Sequence, residues 1–308
     1  MHTQPTFQRG NLTGIVWMIA SMAAFAVEDA FIKVATKQLP VGQVLILFGA
    51  GGAILFAYLT QRNGSTVLLA QAFSKLMLIR AACELVGRLF YVLAIALTPL
   101  SSATAILQAT PIIVVLGATT FFGEAVGWRR WCAIVGGLIG VVIILRPSTG
   151  DFSALSMLAV VGTLGFAGRD LASRAAPVSL TTWHLGFYGF LTVVVAGLIF
   201  SWWDGKPFVW PTSTNAIGMA VAVGAGVFAY AALMKAMRTG SISAVTPFRY
   251  TRLLFGIGLG ITMVGERLDG PMILGCVVVI GTGLFIWWQS KLATKSDLPI
   301  SLVKDPMA

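Results

Sequence analysis

Phe25-Ala26-Val27-Glu28-Asp29, with Lys33 one turn further on, is matched at a shift near 141 residues by Phe166-Ala167-Gly168-Arg169-Asp170, with Arg174 one turn further on. Phe25 corresponds to Phe166, Ala26 to Ala167, Asp29 to Asp170 and Lys33 to Arg174. Near the other end of each half, Gly123-Glu124 corresponds to Gly265-Glu266, so the shift drifts by about one residue. The chain therefore reads as an internal duplication, and the fold question becomes how many elements each copy holds.

Working outward from these runs, ten apolar stretches approach the length of about 20 residues that a membrane-crossing helix needs. They are 12–36, 41–60, 74–97, 101–122 and 128–146 in the first half, and 153–174, 180–201, 216–238, 243–264 and 270–290 in the second. The connections are short and polar. Composition agrees: 57% of the 308 residues are hydrophobic and only 10% are charged, with a mean hydropathy of +0.88. A water-soluble domain carries about 25% charged residues; lipid is the solvent that tolerates so few. Five helices per half is an odd number, so the second copy must enter the bilayer from the opposite face. The expected fold is an all-α integral membrane protein of ten transmembrane helices in two inverted five-helix repeats, residues 12–146 and 153–290, with a polar tail over 291–308. Transporters use this architecture, holding substrate near the midplane between the repeats.

Lys and Arg positions set orientation. With the N-terminus inside, the cytoplasmic side holds eleven (Arg9, Arg62, Lys75, Arg129, Arg130, Arg174, Lys235, Arg238, Lys291, Lys295, Lys304) and the far side five (Lys33, Lys37, Arg146, Lys206, Arg267). Both termini are expected in the cytoplasm. The first segment is read as a retained helix, not a cleaved leader, because it matches the sixth. The net charge of +10 belongs to these loops, and nucleic acid is not an expected partner. Cys83, Cys132 and Cys276 sit in apolar segments without metal spacing, and are read as buried thiols with no disulfide, metal or cofactor. The only histidines are His2 and His184, and neither H-E-x-x-H nor G-x-S-x-G occurs, so no enzyme chemistry is expected.

The run Ala105 to Val141 carries Pro111, Gly117, Gly123-Glu124, Trp128, Gly136 and Gly140-Val141, and the second half repeats it loosely with Pro247, Gly265-Glu266, Gly275 and Gly281. This resembles the duplicated EamA domain of the drug/metabolite transporter superfamily, over about residues 12–290. Among its ten-helix members the sequence looks most like bacterial exporters of aromatic and other amino acids. The resemblance implies a bacterial inner-membrane exporter with a central cavity shared by both halves, and fifth and tenth helices that pack away from it. One departure makes the halves chemically unequal: Phe248-Arg249-Tyr250-Thr251-Arg252 stands where the first half has Ile106-Leu107-Gln108-Ala109-Thr110.

Ionisable side chains inside a bilayer cost about 2.5–3.5 kcal/mol each on insertion scales, so each is a candidate for function. Glu84, Arg88 and Tyr91 share a face of the third segment, with Arg88 about 18 Å along it. They are expected either to line the cavity or to form an intrahelical Glu84–Arg88 pair, with Arg80 snorkelling towards the nearer surface. Glu28 and Asp29, about 24 Å along the first segment, and Arg169 and Asp170 in the sixth are candidates for gates or proton carriers, or else pair statically with Lys33 and Arg174. Arg249 and Arg252 lie at i, i+3 after Pro247, whose missing N–H frees a carbonyl and whose kink can widen a cavity, and they could clamp a substrate carboxylate. Gln108, Tyr230 and Tyr250 complete the expected cavity. His184, one turn before Tyr188 and equivalent to Gln43, is expected to be a packing residue or a proton relay. Phe25 and Phe166 could stack on substrate. Trp202, Trp203, Trp210, Trp287 and Trp288 read as belt anchors. Gly136/Gly140 and Gly256/Gly260 suit close helix contacts, the former within the bundle or between protomers of a homo-oligomer.

Overall fold

A computed structural model describes residues 4–122, 128–145, 155–174, 180–239 and 246–296. Gly123-Glu124, Arg146 and the last twelve residues lie outside these ranges. Eleven α-helices occupy the described residues: α1 (Gln4–Ala35), α2 (Val41–Arg62), α3 (Lys75–Leu97), α4 (Leu100–Leu107), α5 (Thr110–Phe122), α6 (Trp128–Leu145), α7 (Ser156–Arg174), α8 (Thr182–Asp204), α9 (Ser213–Thr239), α10 (Thr251–Leu259) and α11 (Gly270–Ser296). Spans within α1, α2, α8 and α9 are long and apolar enough to cross a membrane unaided. No strand occurs among the described residues. Helix α11 runs to Ser296, so the first residues of the polar segment after 290 are helical.

Two apolar stretches expected to be continuous are broken, both beside a proline. In the first half the helix stops at Leu107 and resumes at Thr110. Pro111 has no N–H to donate to the carbonyl of Leu107; the Thr110 hydroxyl donates to it instead, at 2.6 Å. In the second half Pro247 lies in a 3₁₀ turn over Thr246–Tyr250, and the Thr251 hydroxyl donates to the Phe248 carbonyl at 2.6 Å. A π-helical turn, Gly260–Val264, then follows α10. Irregular backbone at membrane depth is tolerated where protein surrounds it. These two breaks bring Gln108 and Arg249 together, the Gln108 amide donating to the Arg249 carbonyl at 3.1 Å.

The main helix contacts join the two halves. Helix α1 packs on α9, α2 on α8, α3 on α7, α6 on α11, and α4 on α10. At the α3–α7 contact a methyl group added to Gly165 would stand 2.6 Å from the Gly87 Cα and 2.9 Å from the Cys83 carbonyl oxygen. Only glycine lets two backbones approach so closely. Gly140 and Gly275 do the same between α6 and α11: a methyl group on Gly275 would meet the Gly140 carbonyl at 2.8 Å. The Gly136/Gly140 stripe is thus used inside the chain.

The outward faces are apolar. On α6, Trp128, Cys132, Val135, Ile139 and Val142 are exposed at helical spacing. Cys132 is therefore not buried as expected; it belongs to this lipid-facing stripe. Trp202, Trp203 and Trp210 are 74–95% exposed, as anchors at a bilayer surface would be. The chain's buried charge, by contrast, collects between α1, α3, α7, α9 and the second-half break.

Candidate functional site

Glu28 and Asp29, in the last third of the apolar helix α1, are 0% and 1% exposed. Such charges survive only when paired. The Arg88 Nη1 donates to Glu28 Oε1 at 2.5 Å. Arg252 donates to Asp29 Oδ2 through Nη2 at 2.6 Å and Nε at 3.2 Å, and the Tyr91 hydroxyl donates to the same oxygen at 3.1 Å. Aromatic rings cover the guanidinium groups: Phe48 and Phe166 lie 5.1 and 5.8 Å from that of Arg88, Phe25 and Tyr91 4.8 and 5.7 Å from that of Arg252. A cation held against ring faces away from water is stabilised by the ring quadrupole.

A second charged group abuts the first. Asp170 receives Arg169 at 2.8 Å and Arg249 at 3.3 Å. Arg169 also lies 3.3 Å from Glu84, which stands 3.8 Å from Arg80. Arg80 donates through Nε to the Ser173 hydroxyl at 2.9 Å and through Nη2 to the Tyr230 hydroxyl at 3.4 Å. Phe166 joins the two groups, since the Arg169 guanidinium sits 4.8 Å from the ring that also covers Arg88.

Three expectations are corrected. Glu84 and Arg88 do not pair within α3; each is taken by a nearer opposite charge from the other side of the bundle, Arg169 and Glu28. Arg80 does not snorkel: it is 2% exposed, because Glu84, Ser173 and Tyr230 offer it buried partners. Lys33 does not pair with Asp29; its ammonium donates to the carbonyls of Ile95 and Thr98, both at 2.7 Å. The side chain of Arg174 lies outside the description.

Arg249 and Arg252 behave in a way their spacing only hinted at. Three residues apart, they hold Asp170 and Asp29 respectively, the two aspartates that correspond between the halves. Gln108 joins them through the Arg249 carbonyl. Tyr230 belongs to the second group and packs edge-on against Phe56, with centroids 5.6 Å apart. Tyr250 is buried in the apolar core.

His184 stands apart from both groups. Its Nδ1 accepts from the Thr181 N–H at 3.3 Å, and its Nε2 lies 2.9 Å from the Thr66 carbonyl. A carbonyl can only accept and an N–H can only donate, so this geometry requires the neutral Nε2–H tautomer. The residue caps α8 and ties down the α2–α3 connection, where Tyr188 also accepts from the Leu69 N–H at 2.9 Å. Gln43, its counterpart, does the same for the α8–α9 connection: its amide donates to the Val209 carbonyl at 2.7 Å and accepts from the Val209 N–H at 3.0 Å. Corresponding residues thus pin corresponding loops, each belonging to the opposite half.

Sequence reasoning missed one ionic device. The turn Thr98-Pro99 separates α3 from α4. Lys33 binds the carbonyl end of α3, where the helix dipole is negative, and Glu266 binds the amide end of α4, where it is positive. Glu266 accepts from the Leu100 N–H at 2.5 Å, the Ser101 N–H at 3.0 Å and the Ser101 hydroxyl at 2.5 Å. Pro99 at the cap position makes no side-chain cap, which was the available signal that α4 needed an acceptor from elsewhere. Glu266→Ala is expected to lower stability by about 1–3 kcal/mol, the cost of leaving buried donors unmade. Glu266→Gln, whose amide oxygen still accepts, should recover part of it; unfolding midpoints of the purified variants measure both.

A bundle with lipid-facing apolar helices and paired charge at its centre defines a membrane-embedded polytopic protein. The chain belongs to the EamA-like transporter family, which it matches over residues 12–146 and again over 148–288. It is 23% identical over 283 residues to the S-adenosylmethionine uptake transporter of Rickettsia conorii, covering 92% of this chain and 95% of that one. It is 26% identical over 272 residues to the pseudopaline exporter CntI of Pseudomonas aeruginosa, covering 87% and 93%. A solved crystal structure shares the fold, with a TM-score of 0.60 at 16% identity, over 92% of this chain and 99% of that one.

Proposed function

We propose that this transporter exports amino acids, neutral and aromatic ones with broad specificity, across a bacterial inner membrane by alternating access, and that it has no enzymatic activity. The observation that carries the reading is the chain of buried ion pairs linking the two halves. Its charges pair with one another, and a solute bearing both an ammonium and a carboxylate can exchange partners with them one for one. A purely apolar cavity would offer such a solute nothing to offset its desolvation.

The ten-span inverted repeat, residues 12–146 and 153–290, belongs to the same proposal. Exchanging the halves turns the α1–α9 contact into the α7–α3 contact and returns α2–α8 and α6–α11 to themselves, as a two-fold axis in the membrane plane would require. The orientation proposed keeps both termini in the cytoplasm, on the Lys and Arg distribution.

A second reading within the same family is transport of another small metabolite, such as a drug or an amine. It is favoured by the relatives, an S-adenosylmethionine uptake transporter and a pseudopaline exporter, which also differ in direction. Flux of radiolabelled amino acids into proteoliposomes, with matched empty vesicles and a pH gradient switched on and off, separates the two. Saturable flux, suppressed by unlabelled aromatic or aliphatic amino acids, is expected. Folded protein that moves no amino acid would leave only the second reading.

A further inference from the structure

Six buried side-chain polar atoms among the described residues make no hydrogen bond, and four of them lie in the first charged group or against it: Glu28 Oε2, Asp29 Oδ1, Arg88 Nε and Thr104 Oγ1. An unmade buried polar group costs about 1–3 kcal/mol, so a cluster of them marks where a partner belongs. None of the six lies on Arg80, Glu84, Arg169 or Asp170, so the two charged groups differ in kind.

The chemistry of the four atoms is specific. Two are carboxylate oxygens from adjacent residues of α1, each on a carboxylate whose other oxygen is already engaged. Thr104, on α4, is close enough to the Tyr91 hydroxyl oxygen to donate to it, which leaves the Thr104 oxygen free to accept. Arg88 gives Nη1 to Glu28, which leaves free the guanidinium edge carrying Nε, the edge that receives a carboxylate side-on. Helix α9 passes Glu28 Oε2 at Gly226, where an added methyl would stand 2.9 Å from the oxygen. Rings of Phe25, Phe48, Tyr91 and Phe166 surround the group.

We infer that Glu28, Asp29, Thr104 and Arg88 form a head-group site for a zwitterion, the substrate ammonium received by the two carboxylate oxygens and the hydroxyl, the substrate carboxylate by Nε of Arg88. The inference rests on the amino-acid reading above and names the atoms that read it. Charge selects the class. Glu28 and Asp29 balance Arg88 and Arg252, so a zwitterion enters without leaving a net buried charge, whereas an amine or an acid alone leaves one. The second charged group, without such atoms, is a lock between the halves and does not touch the head group.

Glycine is the probe, because it is the head group with no side chain. The unfolding midpoint of the purified full chain is measured with glycine, N-acetylglycine, methylammonium chloride and sodium acetate at equal ionic strength. Glycine is expected to raise the midpoint, and the three partial analogues to leave it within error of a salt control. The glycine shift should vanish in Glu28→Gln and Arg88→Lys and persist in Trp210→Ala, which alters an exposed ring. Equal shifts from glycine and N-acetylglycine, or no shift from glycine, overturn the site. Where Glu28→Gln fails to fold, the wild-type analogue series decides alone. Amino-acid flux insensitive to N-acetylation would reject the head-group site and leave the export reading standing. A glycine shift with these dependences but no flux would keep the site and reject amino-acid export.

Discussion

Asp29→Asn should abolish transport while the protein still inserts into the membrane. The substitution is nearly isosteric and keeps an acceptor for Tyr91, but it leaves the Arg252 guanidinium, held at 2.6 Å, without an opposite charge. Removing one partner of a buried pair costs about 3–5 kcal/mol. The purified variant should therefore unfold at a distinctly lower temperature than the wild type. Adding Arg252→Gln removes the stranded charge, and stability should return for most of that loss. Transport should not return, because the charge that exchanges with substrate is gone from both sides. Asp170→Asn is expected to behave alike, milder in stability because Arg169 keeps Glu84 at 3.3 Å. Flux in proteoliposomes and unfolding in detergent, run on the same preparations, give the two readouts. Full transport by both single variants would remove the ion pairs from the mechanism.

Gly165→Ala should be the most damaging change of one carbon in the chain. The added methyl meets backbone on the facing helix, the Gly87 Cα at 2.6 Å and the Cys83 carbonyl at 2.9 Å. No rotamer relieves a clash with backbone, so α3 and α7 must separate. Overpacking of this kind costs about 1–3 kcal/mol and occasionally more. Separation also lifts Phe166 from Arg88 and Arg169, so transport should fall further than stability alone explains. Gly224→Ala is the control: its methyl would meet nothing within 4 Å, and alanine favours helix by about 1 kcal/mol. If both variants unfold at the same temperature, the two helices are not held at contact distance.

The apolar runs were legible because lipid leaves no alternative to a helix, and most of their limits fall within a few residues of the helices found; α1 starts earlier, at Gln4, and α11 ends later, at Ser296. The break at Gln108 was not legible, and Pro247 announced a kink in the second half but not the 3₁₀ turn over Thr246–Tyr250. A hydropathy reading passes over a missing N–H, and the threonine that mends each gap looks like any other. The charged residues were legible as important, since a bilayer makes them expensive, but their partners were not. Glu84 and Arg88 at i, i+4 suggest each other, yet three-dimensional proximity gave Glu84 to Arg169 and Arg88 to Glu28. Spacing along one helix says nothing about what a second helix brings. His184 drew attention as one of only two histidines, and its role came down to geometry shared with Gln43. Phe48 and Thr104 carried no signal at all, being ordinary residues of apolar segments until α1 and α3 closed around them.

The pairing of Asp29 with Arg252 spans 223 residues, while that of Glu28 with Arg88 spans 60. A chain inserted from its N-terminus therefore reconciles these neighbouring acids at different times. Glu28 can find its partner once the third segment is in place. Asp29 has only the Tyr91 hydroxyl of the third segment, and no opposite charge of its own, until the ninth arrives. Helix α1 likewise has no α9 to lie against until most of the protein has been made. The early product is thus an unfinished bundle with one stranded acid, and biogenesis, more than the finished fold, is where a shortened chain would fail.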